Sequence, residues 1–381
     1  MKWRTLAVCL AVLGLVSLGS SADARKPARA TGPADSIGPK YRVLAPIEHN
    51  NLSVFPVVAS VTHDTSGFLT LDQGVRSGEV VVTEYGKLDT MIRGRDVNGP
   101  IPEQWSGPQV NRLVLVNNSD RPLLLLAGEI VTGGRQDRVV GKDMIVAPES
   151  DPIALDVFCV EPGRWVASSK KFSSMNSAMA APEVRGSAMG SANQEQVWAQ
   201  VGKMKAGVIG GSAGGAEADE LRSTTSYAQV MKNQAVANRV DAIAAPIEKS
   251  YRDLVEKLRD RHAVGVVVAV NGRFVWADIF ASTDLLLRYW PKLIRSYAAD
   301  AMVTGPTGGG TPSVQSAQAF LDNMEGNHQS VDIKPGLFRR TEISGDGFKV
   351  FVLASLLPKT GYDLHIAKMA TRNKLGTLRY P

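Results

Sequence analysis

VGVVVAV-NG-RFVWADIFA, residues 264–281, is the stretch that decides the fold. Two runs rich in β-branched and apolar residues flank Asn271-Gly272, the pair that best accepts the two positive φ angles of a type I′ hairpin turn. The reading is therefore an antiparallel hairpin. Counting back from the turn sets Asp278 opposite Gly265, a charge facing the smallest residue, which fits a cleft lining or a hydrogen-bonded edge residue. Helices are expected on both sides of the hairpin. Pro246 suits a first helical position, and Ile247, Tyr251, Leu254, Val255 and Leu258 follow at one-face spacing. After the hairpin, residues 284–301 carry Trp290, Leu293, Ile294 and Tyr297 at core spacing, with Pro291 as a kink.

Moving toward the amino terminus, residues 41–165 alternate short apolar runs with turn residues, at Leu52–Ala59, 79–84, 110–117, 122–126, 139–147 and 153–160. One or two helical turns interrupt them near residues 69–75. This predicts a largely antiparallel β-domain over 41–171. Residues 172–225 are rich in Ser, Ala, Gly and Met. They are read as a flexible segment containing one amphipathic helix over 194–204 that bears Val197, Trp198 and Val201. Gly207, Gly210, Gly211, Gly214 and Gly215 do not make a phosphate cradle, because Ala216 and Glu217 stand where a P-loop carries its lysine and hydroxyl residue. Residues 226–304 supply the helices and hairpin that complete the core. Residues 305–312 are a linker, and residues 336–369 look like three more strands. The expected class is α+β: an antiparallel amino-terminal β-domain, helices packed with a β-hairpin, and carboxy-terminal strands within 305–381.

Lys2 and Arg4 precede an apolar run from Leu6 to Leu18, shorter than the ~20 residues that cross a bilayer. Ala22-Asp23-Ala24 supplies the small residues of a cleavage site. Residues 1–24 are thus expected to be a signal peptide and 25–40 a solvated leader, making the mature chain a soluble, exported protein of the periplasm or medium, without a membrane anchor. Cleavage takes two basic side chains and one acidic one from the 43 and 37 of the whole chain. The remaining excess of about +5 helps an anionic ligand approach, and with no basic block it excludes nucleic-acid binding. Cys159 is the single cysteine after cleavage, so no internal disulfide forms. His49, His63, His262, His328 and His365 show no metal-ligand spacing, so no metal is expected, and the sequence does not define a cofactor.

The densest polar cluster comprises Glu129, then Gln136 and Arg138 in Gly133-Gly134-Arg135-Gln136-Asp137-Arg138, and then Glu161, Arg164 and Trp165 in Cys159-Val160-Glu161-Pro162-Gly163-Arg164-Trp165. Pro162 at i+1 and Gly163 at i+2 specify a type II turn that brings Glu161 and Arg164 together. Ile153, Leu155, Val157, Cys159 and Glu161 alternate onto one face, and Gln136, Arg138 and Val140 share another. Guanidinium groups bind carboxylate or phosphate through two parallel hydrogen bonds, so the cluster suits a planar or anionic ligand. The alternative is a buried structural ion pair that fixes the turn. Cys159 lies among apolar neighbours and is expected to be an inert core thiol, since a catalytic thiolate needs a base or positive field.

Leu126-Ala127-Gly128-Glu129, Gln136-Asp137-Arg138, Cys159-Val160-Glu161, Gly163-Arg164-Trp165, Asn271-Gly272, Asp278-Ile279-Phe280, Trp290 and Ser296-Tyr297 together resemble the ARG and rhodanese-phosphatase associated protein domain, over about residues 41–302. The resemblance implies, by association with ADP-ribosylglycohydrolase and rhodanese-phosphatase type enzymes, a nucleotide or ADP-ribose related ligand, and it leaves residues after about 305 as an added segment. Two classes of function fit. One is a binding module, with or without catalysis, built on Glu129, Gln136, Arg138, Glu161, Arg164 and Trp165. The other is a structural or envelope-interaction protein in which the same residues hold the fold.

Overall fold

A computed structural model describes residues 40–84, 110–175, 178–191, 193–212, 214–258 and 261–371. The expected signal peptide and nearly all of the leader lie outside them. In chain order the elements are β1 (Tyr41–Val43), β2 (Ile47–His49), β3 (Leu52–Ala59), β4 (Leu69–Thr70), α1 (Leu71–Ser77), β5 (Val80–Thr83), β6 (Arg112–Asn117), β7 (Leu123–Leu125), β8 (Ile130–Thr132), β9 (Arg138–Val140), β10 (Met144–Val146), β11 (Ile153–Cys159) and β12 (Ser173–Ser174). There follow α2 (Pro182–Gly186), α3 (Gln194–Gly210), α4 (Gly215–Ser223), α5 (Tyr227–Lys232), α6 (Gln234–Lys257), β13 (His262–Val270), β14 (Arg273–Phe280), α7 (Thr283–Thr304) and α8 (Val314–Asp322). The chain closes with β15 (His328–Lys334), β16 (Phe338–Gly345), β17 (Phe348–Ser355) and β18 (Asp363–Ala370). This is an α+β fold with extensive antiparallel pairing.

The hairpin is the middle of a nine-stranded sheet ordered β1-β3-β13-β14-β18-β17-β16-β15, with β2 beside β3. Asn271 and Gly272 take φ of 50° and 76°, as the type I′ reading requires. Both faces of β13 are covered, which is why its sequence reads as an unbroken apolar run. Val266 and Val268 pack into the large core beneath α6 and α7, while Val264, Val267 and Ala269 face a second core closed by Phe320 and Leu321 of α8. The carboxy-terminal strands are therefore not an appendage, because β18 lies hydrogen-bonded between β14 and β17.

A bulge between Val268 and Ala269 shifts the hairpin register by one residue, so Gly265 faces Ile279 and Asp278 faces Val266. Gly265 still has to be glycine, since a Cβ there would lie 2.3 Å from the Asp278 carbonyl oxygen. Asp278 itself is fully buried in the sheet interior, neither a cleft residue nor an edge residue.

The remaining strands form a six-stranded sheet ordered β12-β8-β9-β11-β6-β5 and a three-stranded one ordered β10-β7-β4. They enclose a third core of Leu113, Leu115, Val140, Leu155, Val157 and their neighbours. The expected run over 139–147 breaks into β9 and β10 at Gly141-Lys142-Asp143.

Two helical readings need correction. Helix α6 starts at Gln234, well before Pro246, because the Asn233 side chain accepts the amides of Ala235 and Val236 as a cap. Pro246 is tolerated inside the helix since the carbonyl it leaves unbonded belongs to Ala242, on the exposed face. The segment 172–225, expected as mostly flexible, carries α2, α3 and α4. Gly207 stands within α3 where a Cβ would lie 2.3 Å from Val303, so its glycine serves close helix packing.

Candidate functional site

Turn geometry explains the first half of the polar cluster. Gly163 has φ of 93°, and the turn folds Arg164 back onto Glu161 as expected. Arg164 Nε and Nη2 donate to the two Glu161 carboxylate oxygens at 2.7 and 2.6 Å. Glu161 Oε2 also accepts the Asp137 amide at 2.9 Å. Arg164 Nη1 donates to the Gly134 and Val166 carbonyls, and Asp137 accepts from the Gly133 amide and the Ser226 hydroxyl. Glu161 and Asp137 are buried and Arg164 is partly exposed, so this network closes on itself. It borders a shallow cleft of about 330 Å³ that includes Thr132, Gly133, Ser168, Gln229 and Lys232.

Arg138 is placed differently. Its strand partner is Cys159, and its side chain is completely buried. Among the described residues its guanidinium makes one hydrogen bond, from Nη1 to the Asp137 carbonyl at 3.4 Å. Nε and Nη2, the edge of a guanidinium that grips an oxyanion with two parallel bonds, have no partner. Gln136 donates through Nε2 to the Glu161 carbonyl, and its buried Oε1 is also unpartnered. Burial lowers the pKa of Arg138, opposed by the charges of Cys159, Glu84 and Asp137. Burial likewise pushes the Cys159 thiol up, against the amide of Glu161 and the charge of Arg138, in keeping with an inert core cysteine.

Glu129 and Trp165 do not join these residues. Glu129 is buried 2.5 Å from Lys292 Nζ, which also reaches Asp72 at 2.8 Å. Burial would lower the Lys292 pKa, and the two carboxylates outweigh it and raise it. Trp165 is 41% exposed, with the Arg135 guanidinium 5.4 Å from its ring centroid.

The structure also assembles a network that sequence reasoning missed. His365, in the interior of β18, is wholly buried between Asp143 and Asp278, at 2.6 Å through Nδ1 and 3.0 Å through Nε2. Asp278 accepts further bonds from Arg185 Nη1 at 2.8 Å and from the Tyr297 hydroxyl. Burial alone would lower the His365 pKa, but the two carboxylates overcome it and hold it at about 9. Although burial opposes it, Arg185 and His365 keep the Asp278 carboxyl well below its usual range. Two positive and two negative groups thus balance. Gly128 belongs to this assembly, because at its φ of 93° a Cβ would strike the Arg185 side chain at 2.7 Å. Asp143 and Glu129 take up the amides of Ala127 and Leu126, so the Leu-Ala-Gly-Glu stretch anchors both buried charge groups. The one signal in the sequence was a set of ionisable residues, Asp278, His365 and Lys368, inside strongly apolar strands. Among the described residues no group of His, Cys, Asp and Glu could hold a metal ion.

These features define an α+β domain with several buried charge networks and, among the described residues, one fully buried guanidinium without an ion partner. The chain belongs to the ARG and Rhodanese-Phosphatase-superfamily-associated Protein domain family, whose sequence model matches residues 40–366. The match takes in most of the strands after residue 305, which are therefore part of the family's fold and not an addition. No curated protein and no solved structure matches the chain.

Proposed function

We propose that the protein is an exported binding module for a small oxyanion, a carboxylate or phosphate group, gripped by Arg138. One observation carries this reading: Arg138 is a fully buried cation with no ion-pair partner among the described residues and with its two-pronged edge empty. An unpaired buried charge costs several kcal/mol. Among the described residues the other fully buried cations have partners for their charge, although Arg185 likewise leaves Nε and Nη2 without a hydrogen bond. Arg185 has Asp278, Lys292 has Glu129 and Asp72, and Lys368 has the carbonyls of Phe320 and Asn323 with the rings of Phe320 and Phe348. The chemistry of the Nε and Nη2 edge suits a two-oxygen anion, and Gln136 Oε1 is a second buried group without a partner. Nucleotides and sugar phosphates fall within this class, in keeping with the family's association. Export rests on the basic and apolar pattern of residues 1–24. No helix among the described residues is long and apolar enough to cross a membrane.

A structural reading holds for the other half of the cluster. Glu161, Arg164 and Asp137 satisfy one another, which supports a clasp that fixes the turn and leaves them no valence for a ligand. The test is a thermal-shift screen of carboxylates, phosphates and nucleotides, because a ligand that binds the native state raises its melting temperature. A hit should stabilise the wild type and the Glu161→Gln variant and have no effect on Arg138→Ala. A hit that stabilises Arg138→Ala as well as the wild type removes the proposal.

A further inference from the structure

The nine-stranded sheet ends differently on its two sides. At one end β1 is only three residues long, and its edge is closed by α8. Gln318 accepts the Val43 amide at 2.8 Å and donates to the Tyr41 carbonyl at 3.1 Å, side chain standing in for a further strand. At the other end β15 is seven residues long, exposed at every position, and among the described residues paired to β16 alone. An open edge of this length is a template for another strand, and proteins ordinarily blunt it with proline, a bulge or a covering element. β15 has no proline or bulge, and of its charged residues Asp332 is paired to Arg340 of β16 while Lys334 stands at the last position. Val331 and Ile333, two residues apart and so on one face, are 49% and 55% exposed.

We infer that β15 is a self-association edge, pairing antiparallel with β15 of a second copy so that the sheet runs continuously through a two-fold axis at Val331. The sequence His-Gln-Ser-Val-Asp-Ile-Lys is matched to itself in this register. The register is the one that pairs all seven residues, since the chain turns away at Pro335. It sets Val331 against its own copy, with Ile333 of each strand two residues further along the same face, opposite Gln329 of the second copy and diagonal to the axis. On the opposite face Ser330 meets the Asp332 carboxylate of the second copy, which accepts its hydroxyl. His328 meets Lys334 at the two ends of the pairing. A register centred on Asp332 would instead oppose two carboxylates, and one centred on Ile333 would leave three residues paired. A closed two-fold contact of this kind ends in a dimer and not a fibre. Its area is that of a single strand pair, so the dimer is weak and depends on concentration.

Sedimentation velocity of the mature protein up to several hundred micromolar tests this, together with two single-cysteine probes. Cys159 is buried and does not compete for thiol reagents. Association should rise with concentration and be reduced at least tenfold by Val331→Lys, which places two ammonium groups on the axis at an exposed position and should leave the melting temperature unchanged. A short bismaleimide should link Val331→Cys across the axis far more efficiently than His328→Cys at the strand end. A protein that stays monomeric with no Val331→Cys linkage overturns the inference. So does a dimer that survives Val331→Lys, which would use another face, or equal linkage at both positions, which would mean another register. Binding of foreign strands by a monomeric protein would point to a heterologous partner and equally refute self-pairing.

Discussion

Arg164 and Arg138 flank one turn of the same sheet and have opposite fates. Arg164 is partly exposed, yet its bonding edge is filled by Glu161. Arg138 is fully buried, yet the same two nitrogens are empty. If stability were the sole reason for both residues, the buried one should be the better paired, because an unmet donor away from water costs about 1–3 kcal/mol. Arg185 also leaves Nε and Nη2 without a bond, but its Nη1 meets the Asp278 carboxylate, so it is the lack of an ion partner that sets Arg138 apart. The Asp278 network gives the scale for the clasp, since there buried charges meet with every carboxylate oxygen engaged.

The largest effect should come from breaking that network. Asp278→Ala leaves Arg185 and His365 buried without their shared carboxylate and is expected to cost about 3–5 kcal/mol in denaturant unfolding, or to prevent folding. A loss below about 1 kcal/mol would show that the charges are compensated elsewhere. Stability should also respond to alkali. The folded-state pKa of His365, about 9, lies above the ordinary value of 6.5. Its contribution is therefore complete below about pH 6.5 and is lost as pH rises through 9, on the order of 3 kcal/mol in all. Unfolding curves between pH 6 and 10 should show this fall, and His365→Gln should flatten it. An unchanged slope in that variant would assign the fall to another group.

Glu161→Ala comes next, at about 2–4 kcal/mol, because it strands the Arg164 edge and the Asp137 amide together. Cys159→Ala should cost about 1–2 kcal/mol, as a small core truncation does, and should leave ligand stabilisation within a few fold of wild type. Complete loss of the ligand response in that variant, still folded, would make the thiol part of the site.

The sequence carried the parts of this comparison that depend on local geometry. The Asn271-Gly272 turn and the Glu161–Arg164 contact follow from backbone preferences of adjacent residues, and both are present. The α+β class followed from strand and helix periods. What was not legible depends on distant chain. His365 and Asp143 are 222 residues apart, and nothing local tells a buried imidazolium from a surface histidine. Glu129 was grouped with Glu161 by proximity in sequence, whereas Lys292, on α7, takes it into a different core. Pro246 was read as a helix start because its fixed φ suits one, and the capping by Asn233 overrode it. The one-residue error at Asp278 came from a bulge that no residue pattern announces.

The central claim is that Arg138 is held for a ligand and not for the fold. The direct measurement is denaturant unfolding of wild type and Arg138→Ala, each with and without the best oxyanion from the screen. The account predicts that Arg138→Ala loses less than about 1.5 kcal/mol, since it removes an uncompensated charge and one long hydrogen bond, and that the ligand no longer stabilises it. A loss of 3 kcal/mol or more by about the scale of a broken buried pair, or full ligand stabilisation in the variant, would contradict it and make Arg138 scaffold.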